Sequence, residues 1–126
     1  MTRKIHEFLK MPLDELIFEA NRIRKENINE IELCSILNAK SGYCTEDCKF
    51  CAQSSHHKTN VSTYSLLHKE DMIKAARAAK NNGARRFGIV TSGNRLNAQE
   101  LECIAEVITE LSRSGEIFPC ASLGIS

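Results

Sequence analysis

"EIELCSILNAKSGYCTEDCKFCAQ", residues 30–53, joins a short apolar run to a loop that packs three cysteines, Cys44, Cys48 and Cys51, into eight positions. The apolar run is short for a helix and is bounded by Asn29 and by "NAKSG", so it reads as a buried strand from about Ile31 to Leu37. Reversal of the chain over the next few residues lets thiols at C-x3-C-x2-C spacing gather around one site. Six cysteines in 126 residues could form a disulfide framework, but three are crowded into one segment while Cys34, Cys103 and Cys120 stand apart in apolar surroundings. In a reducing compartment that distribution points to metal binding.

The chain on either side alternates helix and strand. Leu13, Leu16, Ile17, Ala20 and Ile23 recur at helical spacing after Pro12, which suits a first turn. Beyond the cysteine loop, "HKEDMIKAARAAKNNG" sets Met72, Ala75, Ala76 and Ala79 on a helix that Asn82-Gly83 stops. "RRFGIVTSG" gives a strand centred on Phe87 to Val90. A third helix follows, with Leu101, Ile104, Ala105, Ile108 and Leu111 on one face, a solvated face of Glu102, Glu106 and Glu110 opposite, and Gly115 at its end. The last segment, "IFPCASLGIS", starts a strand in which Pro119 must sit at an edge or at the beginning. Such alternation builds parallel sheets, because parallel neighbours need a crossover helix.

The expected fold class is therefore α/β, with residues 1–28 a helical extension and 29–126 the first part of an incomplete TIM-type (β/α) barrel, cut at its third strand. Complete barrels run to about 250 residues. With 17 basic and 16 acidic side chains in scattered positions, the chain offers no stripe for nucleic acid. No apolar stretch is long enough to span a membrane, and the charged N-terminus does not resemble a signal peptide, so the expected location is the cytoplasm.

Two metals suit the loop on its residues alone. Structural zinc wants four ligands, so Cys44, Cys48 and Cys51 would need His56 or His57 as a fourth. An iron–sulfur cluster with three protein ligands would keep one iron open for a reactant, and the loop's position after the first strand is where barrel active sites gather.

With an aromatic residue, Phe50, before its last cysteine, the C-x3-C-x2-C loop resembles that of the radical S-adenosylmethionine (SAM) superfamily. The wider stretch "CSILNAKSGYCTEDCKFCAQSSHHKT", continued by "YSLLHKEDMIKAARAAKNNGARRFGIVTSG" and "CASLGIS", is similar to the biotin synthase family. That resemblance implies a sulfur transferase. Cys44, Cys48 and Cys51 would hold a 4Fe-4S cluster whose open iron binds SAM. Reductive cleavage of SAM would then give the 5'-deoxyadenosyl radical that attacks dethiobiotin. Phe50 would lie by the adenine, its alternative being packing under the loop, and Ser92 and Gly93 of "TSGN" would face the methionine amino group, unless that segment is a plain strand-to-helix turn. No residue of the chain is singled out as a catalytic acid or base.

The resemblance further implies an auxiliary iron–sulfur cluster with Cys120 as one ligand. Another expected cysteine falls at Gly88, so that cluster has a different make-up here or the relative does other radical chemistry. It also implies an electron donor such as flavodoxin or ferredoxin and a homodimer at full length. Cys34 is expected to be a small buried hydrophobe, Cys103 has no metal role, and His6 and His68 fit no pattern. Alternative readings are a sister radical SAM enzyme of the hydrogenase-maturation or methylornithine-forming type, a zinc-binding module, and a truncated gene product. The 126 residues alone are not expected to catalyse turnover.

Overall fold

Apolar and β-branched side chains at alternating positions in three short segments pair to form the centre of the chain. The structure, a computed structural model, describes residues 5–28 and 30–124. The boundary expected at Asn29 and the ends of both expected domains, residues 1–4 and 125–126, lie outside the described residues. The chain divides into two units, Met1–Ile31 and Glu32–Ser126.

The first unit contains α1 (Ile5–Phe8), which the sequence reading did not anticipate, and α2 (Leu13–Asn27). Pro12 is the N-cap of α2; Asp14 and Glu15 in its first turn and Arg24 and Lys25 in its last oppose the helix dipole favourably. Arg22 bridges Glu19 at 2.7 Å and Glu26 at 2.6 Å along one exposed face. The apolar stripe forms as expected, but no residue of α2 is buried.

The second unit is an α/β layer built on a parallel sheet of three strands in the order β1-β2-β3. β1 (Cys34–Lys40) is followed by α3 (Lys69–Asn81), β2 (Arg86–Thr91), α4 (Ala98–Ser114) and β3 (Phe118–Ser122). Side chains alternate between faces. Ala39, Phe87 and Ile89 pack with Met72, Ile73, Ala76 and Ala79 of α3 and with Ile104, Val107 and Leu111 of α4. Among the described residues of this unit, no element covers the opposite face, where Ile36 is 70% exposed. The described residues thus form three strands with free edges and no closed barrel.

Helix ends follow local chemistry. Ala84 N–H donates to Ala79 O at 3.0 Å and Gly83 takes φ +88°, a glycine-terminated stop for α3. Asn97 and Glu100 form a reciprocal capping box at the start of α4. Phe118 N–H donates to Arg85 O at 2.9 Å, so the next nitrogen, that of Pro119, faces away from β2 at the sheet edge, where no donor is needed.

Two expectations need correction. β1 runs from Cys34 to Lys40 rather than from about Ile31 to Leu37, because its ladder with β2 starts at Cys34↔Arg86, whereas Ile31 and Leu33 are 79% and 54% exposed. Cys34 is exposed, not buried: it lies on the uncovered face of an edge strand, and its apolar neighbours in sequence alternate between faces. No helix among the described residues is long and apolar enough to cross a membrane.

Candidate metal centre

The cysteine loop leaves the C-terminal end of β1 and is fastened at its base. Ser41 and Tyr64 exchange backbone hydrogen bonds of 3.1 and 3.0 Å, and Tyr64 Oη–H donates to Asn38 O at 2.7 Å. Gly42 N–H and Ser41 Oγ–H both donate to Gln53 Oε1, at 2.5 and 3.0 Å. Cys44 and Ser54 bridge, with Cys44 N–H donating to Gln53 O at 3.3 Å and Ser55 N–H to Cys44 O at 2.8 Å. The loop therefore closes on itself below its tip.

Gly42 has φ +78°, and a Cβ there would stand 2.9 Å from Thr63 Cβ and closer still to Thr63 Cγ2. Only glycine fits this turn. Tyr43 follows it in the left-handed region at φ +56°.

The three cysteines differ in surroundings. Cys44 is buried at the loop base, Cys51 is half-buried and Cys48 is exposed. Cys51 N–H donates to Cys48 O at 2.9 Å, which places this pair on a single turn. Among the described residues, no group of three or more His, Cys, Asp or Glu side chains is close enough together to hold a metal ion. The chemistry of the three side chains nevertheless fits a thiophilic centre: three soft thiols on one short loop, with the turn that carries two of them at its tip.

Both nearby histidines are engaged with the loop backbone. His56 Nε2–H donates to Thr45 O at 3.0 Å, and His57 Nε2–H to Cys48 O at 3.1 Å. His57 Nε2 also lies 3.7 Å from Asp47 Oδ1. A zinc ion would have to displace these bonds to use either Nε2.

Ser92, Gly93 and Phe50 occupy different environments. Ser92 is buried, and its Oγ–H donates to Gly42 O at 2.7 Å, joining the segment after β2 to the loop base. Gly93 has φ +98°, and a Cβ there would meet nothing within 4 Å, so space lies open beside it. Phe50 is fully exposed and does not pack under the loop. Asn94 Nδ2–H donates to Glu46 Oε1 at 2.9 Å, a second tie between these segments.

Lys40, at the end of β1, pairs with Glu100 at 2.7 Å, and both side chains are largely buried. Burial opposes ionisation of Glu100, but hydrogen bonds from Lys40 and the Asn97 backbone outweigh it and hold the carboxyl below its usual range. The sequence reading missed Gln53, Glu46, Asn94 and this ion pair, whose partners are far apart in the chain. Gln53 was in view in "CAQS", but nothing local showed that its amide closes the loop.

The remaining two cysteines lie elsewhere. Cys120 is exposed on β3; the Arg86 guanidinium is raised in pKa first by Glu32, with which it pairs at 3.0 Å, and then by Cys120. Cys103 is half-buried in α4, where burial and then Glu106 and Glu70 push its thiol upward in pKa.

No protein-family model matches the chain. Curated proteins do. A biotin synthase of Thermodesulfovibrio yellowstonii is 54% identical over 111 residues, covering 87% of this chain and 35% of that protein. One from Thermotoga petrophila is 49% identical over 122 residues, 97% of this chain and 40% of the relative. One from Clostridium tetani is 47% identical over 114 residues, 90% and 35% respectively. Matches of this length necessarily include the cysteine loop. By sequence the chain is similar to these biotin synthases, and it spans about a third of their length.

Proposed function

We propose that the chain provides the cluster-binding part of a biotin synthase, which inserts sulfur into dethiobiotin by radical SAM chemistry. Its three strands would be the first of a TIM-type barrel, with the cysteine loop at the C-terminal ends of the strands, where such barrels build their sites. The observation that carries this reading is the three-thiol loop at the end of β1, closed on itself by Gln53 and tied by Ser92 to the segment after β2.

Cys44, Cys48 and Cys51 would hold a 4Fe-4S cluster with one iron left for SAM. That group, when bound, supplies one-electron cleavage of the sulfonium and so the radical chemistry. The chain's own residues orient and enclose. Gln53 holds the loop base by accepting from Gly42 and Ser41, while Ser92 anchors Gly42 from the other side. Gly93 leaves its backbone open to approach by the amino group of SAM, and Phe50 offers an exposed ring to its adenine. Cys120 would contribute to an auxiliary cluster. A flavodoxin or ferredoxin would supply electrons, and the full-length enzyme would be a homodimer.

The test is anaerobic reconstitution with iron and sulfide at the protein's natural length, followed by reduction and electron paramagnetic resonance with and without SAM. The expected result is a reduced four-iron signal that shifts on adding SAM, with dethiobiotin-dependent biotin formation. Tight stoichiometric zinc in place of iron would overturn the reading.

A further inference from the structure

Lys40 stands at the root of the cysteine loop, and an irregularity in its strand turns its side chain toward the helices. β1 pairs with β2 residue for residue from Cys34↔Arg86 to Asn38↔Val90, then passes over Ala39 and resumes at Lys40↔Thr91. Alternate residues of a strand take opposite faces, so in unbroken register Lys40 would follow Ile36 and Asn38 onto the open face. The extra residue re-aims it, as bulges do beside functional sites. On the helix side Lys40 Nζ meets Glu100 Oε1 at 2.7 Å, with side chains only 21% and 17% exposed.

Lys40 thereby holds both ends of one connection. Its backbone O accepts from Ser92 N–H at 2.9 Å, where the chain leaves β2. Its ammonium fixes the Glu100 carboxylate, whose Oε2 accepts from Asn97 N–H at 3.0 Å, where the chain enters α4. Between these points Leu96 is buried in the core, whereas Asn94 is exposed and Gly93 has open space where a Cβ would be. The same connection meets the cysteine loop twice, through Ser92 Oγ–H to Gly42 O and Asn94 Nδ2–H to Glu46 Oε1. A capping box by itself would fix the start of α4. The ion pair goes further and ties that helix end to the strand from which the thiols hang.

We propose that Lys40 and Glu100 are positioning residues: their ion pair sets the placement of Gly93 and Asn94 against the cysteine loop, and through it the affinity for SAM. The proposal rests on the biotin synthase reading, in which SAM lies between these two segments, and adds residues that act through the backbone of others. A largely buried ion pair suits this task. Desolvation offsets much of its attraction, so removing both charges together costs little stability, while its short contact fixes a distance.

The test uses natural-length protein with Cys44, Cys48 and Cys51 intact, reconstituted with iron and sulfide. SAM affinity is read by titrating the reduced four-iron signal, and amide hydrogen exchange over residues 92–97 is followed without SAM. Lys40→Met keeps the apolar stem and removes the charge. It is expected to retain the parent's iron and sulfide, to weaken SAM binding by about ten-fold and to speed exchange over 92–97. Glu100→Gln should act in the same direction, and the two together no more than Lys40→Met alone, because each removes the same contact. Val107→Ala, a cavity at a fully buried position of α4, is the control: it should lower the urea midpoint and leave SAM affinity and exchange over 92–97 as in the parent.

Parent-like SAM affinity in Lys40→Met protein would overturn the proposal, as would additive losses in the double variant or an equal loss in Val107→Ala. If Lys40→Met does not fold, Glu100→Gln and the double variant carry the same comparison. Failure of the biotin synthase reading is a different result, a parent protein with no SAM-sensitive signal, and the proposal falls with it.

Discussion

Gly42 and Ser92 show how single positions hold the site. Gly42→Ala forces a Cβ against Thr63 and an L-residue into φ +78°. It should destabilise the second unit by about 2 kcal/mol or more, read as a lower urea midpoint, and reduce iron retained by the loop. Ser92→Ala removes one buried hydrogen bond and leaves Gly42 O without this donor, at a cost of about 1 kcal/mol in the same measurement. Thr91, next to it, should respond in the opposite direction. Its Oγ1 is buried with no hydrogen-bond partner among the described residues, so Thr91→Val, close in shape, should raise the midpoint or leave it unchanged. A drop of 1 kcal/mol or more would show that the hydroxyl is satisfied by a bound water.

At the scale of elements, stability is concentrated where β2 meets α3 and α4. Phe87, 1% exposed, is among the largest fully buried side chains, and Phe87→Ala should cost about 3–5 kcal/mol in urea or thermal unfolding. The α3 and α4 helices were legible in the sequence because their signals are local: apolar residues at helical period, an Asn82-Gly83 stop and a Gly115 stop, while the Asn97 capping box went unread. β1 was misplaced by three residues because strand ends depend on pairing, here Cys34 with Arg86, more than 50 positions away. Cys34 was misread for a related reason. An apolar sequence neighbourhood does not reveal which face of a strand is covered, and that depends on where the helices pack. The cysteine spacing was legible in full, whereas the ties of Gln53 to Gly42, Ser92 to Gly42 and Asn94 to Glu46 arise only after folding.

Across the second unit, Lys40 and Glu100 link the end of β1 to the start of α4, and the Glu100 carboxyl is held below its usual range. A carboxylate with a depressed folded-state pKa adds stability that is present above its ordinary pKa and lost as pH falls through the folded value. Urea unfolding of the parent and of Glu100→Gln should differ at neutral pH and converge as the medium is acidified below the ordinary carboxylate range. A difference independent of pH would assign the contribution to shape instead of charge.

The fastened base and exposed tip of the cysteine loop also have a consequence for its lifetime in a cell. Lys49 and Phe50 are exposed, while the chain on both sides is tied down at Ser41, Cys44 and Ser54. Proteases need several residues of backbone that can open locally, and the exposed tip, held by one turn hydrogen bond and two histidine contacts, is a ready place to offer them. Trypsin and chymotrypsin should cut first at Lys49 and Phe50, and a metal drawing Cys48 and Cys51 together would slow both cuts. Susceptibility at these two peptide bonds would then mark apoprotein for disposal and spare the loaded form, coupling the abundance of this chain to the supply of iron and sulfide.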